Sequence, residues 1–100
     1  MQNMQSLLKE ANKMKARLQK EMNKLAEQEF SVTKGGGIKV AMLGSREIVE
    51  ISIEDDLFDK DNKEMIETMI IVAINELLET ISSQEEKINS EITGGQTGLF

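Results

Sequence analysis

Glu29–Ile53 reads EFSVTKGGGIKVAMLGSREIVEISI, and the alternation within it decides what kind of protein this is. Phe30 and Val32 alternate with polar neighbours; Ile38, Val40 and Met42 then fall at alternate positions, and so do Val49, Ile51 and Ile53. A period of two places every second side chain on one face of a sheet, so each run predicts a half-buried strand. The joints are Gly35-Gly36-Gly37 and Gly44-Ser45, where glycine lets the chain turn without steric penalty. Three short strands joined in this way form an antiparallel meander with one apolar face.

On both sides the period changes to that of a helix. Upstream, Met4, Leu7, Ala11, Met14, Leu18, Met22 and Leu25 fall on one narrow face. Met4, Ala11, Leu18 and Leu25 repeat at heptad spacing, but Glu21 interrupts the second heptad position. The stripe therefore predicts packing against another helix rather than a long zipper. A helix from about Met4 to Gln28 would be roughly 35–40 Å long, too long for the body of a small monomer.

Downstream, Glu54–Lys60 is an acidic connector, and Asp61 with Glu64 predicts an N-cap and capping box. The second helix is expected to run to about Ile92 and stop at Gly94-Gly95. Its first half, Met65 to Leu78, is apolar over more than half its circumference, which predicts burial on several sides. Beyond it only Ile81, Ile88 and Ile92 continue the stripe, as in an arm that leaves the body. The expectation is an α+β chain with the order helix, three-stranded antiparallel sheet, helix. Residues 1–93 make one domain, followed by a flexible Gly-rich tail at 94–100. A homodimer is the expected way to cover the remaining apolar surface, with Val40, Val49, Ile51, Ile53, Ile70, Ala73 and Leu77 in its body.

Composition excludes much chemistry. The chain has no Cys, His, Trp, Tyr or Pro. Without His and Cys there is no nucleophile–base pair of the usual kind, and zinc loses its favoured ligands. Reading Asp59 and Asp61 as the start of a calcium loop puts Glu64 where glycine is needed and Ile70 where the bidentate glutamate belongs. The triple glycine lacks the Gly-Lys-Ser/Thr of a phosphate loop. No enzyme activity, cofactor, metal or small-molecule substrate is expected. Seven methionines occur; at helical spacing Met14, Met65 and Met69 are expected in the core and Met4 near an exposed tip. The apolar run Met69–Ile74 is too short to cross a bilayer, no signal pattern opens the chain, and the expected location is cytoplasmic.

Charge is the informative feature. Met1–Leu25 carries a net +4 and the remainder −10, within a total of −6. Lys9, Lys13, Arg17, Lys20 and Lys24 lie within an arc of roughly 80° at ~100° per residue, nearly opposite the apolar stripe. Like charges four residues apart oppose helix formation by a few tenths of a kcal/mol per pair, so the stripe points to an external anion. Two bland readings compete with it: a solvated face, and pairing with Glu76, Glu79 or Glu86 of the second helix.

Several strings resemble the YbaB/EbfC family of bacterial nucleoid-associated DNA-binding proteins. They are MQSLLKEANKMKARLQKEMNKL, GGGIKVAMLG, VEISIEDDLF, VAINELLE and GGQTGLF. The likeness covers nearly the whole chain. It implies an intertwined homodimer with projecting helical arms, located at the nucleoid, without catalysis. It further implies binding to double-stranded DNA with modest sequence preference and effects on gene expression. Carried onto this chain, the contacts would be Lys9, Lys13, Arg17, Lys20 and Lys24. The alternative is a protein-binding or holdase dimer whose arms clamp a client, as in prefoldin.

Overall fold

The computed structural model describes residues 3–94. The order is α1 (Met4–Glu27), β1 (Glu29–Lys34), β2 (Ile38–Leu43), β3 (Ile48–Ile53), 3₁₀ turns at Asp55–Leu57 and Lys60–Asn62, and α2 (Lys63–Thr93). This is the expected α+β arrangement. The expected flexible tail lies outside the described residues from position 95 onward.

Local chemistry accounts for most boundaries. α1 begins where the Asn3 side chain accepts a hydrogen bond from the Ser6 amide at 2.9 Å. α2 ends at Gly94, whose φ of 67° is the left-handed turn that glycine adopts freely. Its beginning differs from the expected capping box. The helix starts after Asn62, which makes no side-chain cap, and Asp59 accepts from the Asp61 amide one turn earlier. The intervening 3₁₀ turn continues into α2, so the cap sits at the start of that turn and Asp61 is inside it.

The sheet order is β1-β2-β3, antiparallel throughout. Phe30 pairs with Met42 and Val32 with Val40 across one joint. Across the other, Ile38 pairs with Ile53 and Val40 with Ile51, and a register shift at Ala41/Met42 brings Ile48 opposite Met42. α2 packs on β1 and β2. Its Ala73, Leu77 and Ile81 meet Val40 and Met42 in a fully buried core, flanked by Phe30, Val32, Ile74 and Leu78.

That helix does not reach over β3. Ile48, Val49 and Ile51 remain 42–47 % exposed, although Ile51 shares the apolar face of Val40. Ile71 and Val72 on α2 are exposed as well. The body surface expected for a dimer thus divides in two. Val40, Ala73 and Leu77 are buried within the chain, while Val49 and Ile51 face outward.

Below the sheet, α1 and α2 pack together as an arm. The chain is a rod 71 Å long and 20 × 14 Å across. Its radius of gyration, 19.6 Å, is well above the ~13 Å of a compact 100-residue domain. A rod of this kind cannot bury its own apolar surface efficiently.

Candidate functional site

The solvent face of α1 is built from the positions its packing stripe leaves free. Leu25 is buried, and Ala11, Met14, Leu18 and Met22 are half-buried. The stripe fails towards the N-terminus, where Met4 is 72 % and Leu7 49 % exposed. The reason is unequal length. The β2–β3 turn touches Leu25–Gln28 of α1 and Ser82–Glu85 of α2. From that level α2 continues eight residues to Thr93, about 12 Å, whereas α1 runs back to Met4 over about 32 Å. Among the described residues, the first turns of α1 therefore have no helix beside them.

Lys9, Lys13, Arg17, Lys20 and Lys24 are all exposed. Lys24 has a partner, Glu21 at 3.4 Å on its own helix, an exposed contact that holds it weakly. Among the described residues, Lys9, Lys13, Arg17 and Lys20 make no ion pair. The carboxylates named as rivals are otherwise placed: Glu76 pairs with Lys34 of β1, and neither Glu79 nor Glu86 pairs with α1. Glu27, on the same line of the helix, marks where the positive run ends.

Cations of the sheet behave differently. Lys34 is paired with Glu76, Lys39 with Glu50 at 3.1 Å, and Arg46 with Glu85 at 2.7 Å. The Arg46 guanidinium grips both Glu85 oxygens and also donates to Ser82. Those hydrogen bonds hold the Glu85 carboxyl below its ordinary value, opposed by partial burial and helped by the charge of Arg46. Positive charge on the described arm is therefore least neutralised along Lys9, Lys13, Arg17 and Lys20 of α1, which make no ion pair.

Two features of this face were not singled out from the sequence. Gln5, Asn12, Gln19 and Asn23 form an amide row adjoining the lysines, and Gln19 donates to Asn23 at 3.0 Å. A shallow open groove brings Gln19, Lys20, Asn23 and Lys24 together over Ala16. Amides beside cations suit phosphate oxygens, which accept hydrogen bonds from both. The spacing of these amides was the available signal, hidden because amides are common on any solvated helix.

This face can hold an extended polyanion by charge and hydrogen bonding. It offers no nucleophile, and among the described residues no group of acidic side chains is placed to hold a metal ion. No described helix is long and apolar enough to cross a membrane.

Comparison with known proteins agrees with this geometry. The family model described as the YbaB/EbfC DNA-binding family matches residues 1–96. A nucleoid-associated protein of Clostridium novyi is 37 % identical, over 98 % of this chain and 89 % of its own. Another, from Metamycoplasma arthritidis, is 34 % identical over 89 % of this chain and 93 % of its own. Among solved structures, an uncharacterized protein of Helicobacter pylori superimposes with a TM-score of 0.77 at 19 % identity. That match covers 93 % of this chain and 99 % of the other, and it establishes a shared fold.

Proposed function

Because the chain belongs to the YbaB/EbfC DNA-binding family, we propose that it binds double-stranded DNA as a homodimer through the basic face of α1. The observation that carries this reading is the exposed run Lys9, Lys13, Arg17 and Lys20, free of ion pairs on a helix that projects from the body. Lys24 and the amides Gln19 and Asn23 extend the same surface. Between Lys9 and Lys24 the face is about 22 Å long, enough to follow several phosphates of one strand at ~3.4 Å each along the axis.

Such contacts position a protein on DNA without reading its bases, so the sequence preference is modest. The protein acts at the nucleoid by coating or bending DNA, with effects on many genes. The net charge of −6 makes binding weak at long range, but within a Debye length of ~8 Å the stripe dominates.

The homodimer is supported by the uncovered apolar surface of the body. Ile48, Val49 and Ile51 on β3, with Ile71 and Val72 on α2, are what a second copy would bury. β3 is also a sheet edge, open to pairing.

The test is fluorescence anisotropy of a labelled duplex. If a dimer neutralises about six phosphates, affinity falls about 10³-fold between about 50 and about 200 mM salt. Lys13→Glu/Arg17→Glu/Lys20→Glu, all at exposed positions, should abolish binding while circular dichroism stays unchanged. Binding insensitive to this triple change removes α1 as the contact surface. A second reading, a clamp for apolar clients, draws on exposed Met4, Leu7 and Leu8 near the arm's end. It is favoured by suppression of client aggregation with no DNA binding at low salt.

A further inference from the structure

We infer that the turn Leu43–Arg46 is the clamp that sets the direction of the arm, and that Arg46 is a positioning residue for DNA binding, acting through Glu85. The role in DNA binding rests on the function proposed above; the clamp itself does not. Three of its residues, Gly44, Ser45 and Arg46, hold both helices. On one side, the Gly44 amide donates to the Gln28 carbonyl at 2.9 Å and the Ser45 amide to the Ala26 carbonyl at 3.1 Å. These carbonyls lie at the end of α1. On the other side, Arg46 spans to α2 with bonds of 2.9 and 2.7 Å to the two Glu85 oxygens and 3.3 Å to Ser82.

The residue choice at this turn is informative. Arg46 has a φ of +76°, the only positive φ at a non-glycine residue among those described. Glycine or asparagine would sit there with less strain. A position that favours glycine but carries arginine points to a role for the guanidinium. What it does is reach thirty-nine residues along the chain to the last part of α2 still beside the sheet. Among the described residues α2 leaves the sheet beyond this level and continues in the arm with α1, so arm direction is decided here.

Small errors here are amplified. Lys9 lies sixteen residues from Leu25, about 24 Å along the helix. A tilt of about 10° at the turn moves Lys9 by about 4 Å, close to the ~3.4 Å between successive phosphates along one strand. A loosened clamp leaves every cation in place on α1 but puts them out of step with the duplex.

The test uses Arg46→Gly, which suits the backbone, and Glu85→Gln, which keeps the side-chain shape. The protein has no cysteine, so Asn12→Cys and Ser52→Cys accept spin labels uniquely, and duplex binding is measured separately on chains without these cysteines. Labelled chains are diluted with unlabelled ones so that pulsed EPR reads the arm-to-sheet distance within a chain. Both variants should broaden that distribution and weaken duplex binding by about two- to thirtyfold, with thermal unfolding still cooperative. The sign for Glu85→Gln is decisive. If Arg46 touched phosphate directly, releasing it and removing a carboxylate would tighten binding, and that result overturns the positioning role. Unchanged distance distributions overturn the clamp. Wild-type protein that binds no duplex at low salt overturns the role in DNA binding, while the distances still decide the clamp.

Discussion

At Gly44 the chain has no room for a methyl group. An ideal Cβ would sit 1.9 Å from the Leu25 carbonyl oxygen, a backbone atom that cannot step aside. Gly44→Ala should destabilise the protein by about 3 kcal/mol or more, lowering the melting temperature by upwards of about 10 °C in thermal circular dichroism. A change of only a degree or two would mean that the α1 end moves freely and the turn clamps nothing. The Arg46–Glu85 contact makes a prediction in pH. The folded Glu85 carboxyl is held below its ordinary 4.5, so the contact stabilises fully above the unfolded-state value and is lost as pH falls through the folded one. The melting-temperature gap between wild type and Glu85→Gln should be constant from neutral pH to about 5 and close below that. A gap that persists at pH about 2 would point to packing instead of charge. The five stripe cations were legible as residues, because exposure of a helix face follows from its period. That Lys24 has Glu21 beside it while Lys20 has no ion partner was not, because a side chain chooses among neighbours by distance.

Each helix changes environment along its length. α2 is packed on the sheet through Ala73, Leu77 and Ile81, and further along, in the arm, Ile92 is buried as well. Ile81 is fully buried where the two regimes meet. Ile81→Ala should cost about 2–5 kcal/mol, whereas Leu8→Ala, at 56 % exposure on the overhang, should stay within about 0.5 kcal/mol. Urea unfolding of the two variants measures both. Amide exchange should follow the same gradient, fastest in the first turns of α1 and slowest in β2. Element types and most boundaries could be read from period and turn residues. The start of α2 could not, because Asp59 and Asp61 are equally good caps in one dimension. The 3₁₀ turn that follows Asp59 and contains Asp61 depends in part on Asn62 donating to the Leu57 carbonyl.

For the molecule as a whole, the question is what covers β3. A strand with Ile48 and Ile51 turned out and its edge open is an interface or a liability. Ile51→Glu, nearly half-exposed in the chain, should leave the monomer's secondary structure intact and shift the protein to monomer in analytical ultracentrifugation. It should also weaken duplex binding more than the loss of one charge explains, since two arms on one body act at high effective concentration. A dimer that survives Ile51→Glu unchanged would place the interface elsewhere.

Local order along the chain was enough to specify two helices around a three-stranded meander, the amphipathic stripe and the basic line opposite it. Each of these is a matter of neighbours a few residues apart, and backbone period alone sets them. Tertiary structure decided the rest. It left β3 and the first turns of α1 uncovered, buried Val40, Ala73 and Leu77 inside one chain, and brought Arg46 to Glu85. These outcomes depend on where elements lie relative to one another, and residues thirty-nine apart meet only once the sheet and both helices are in place.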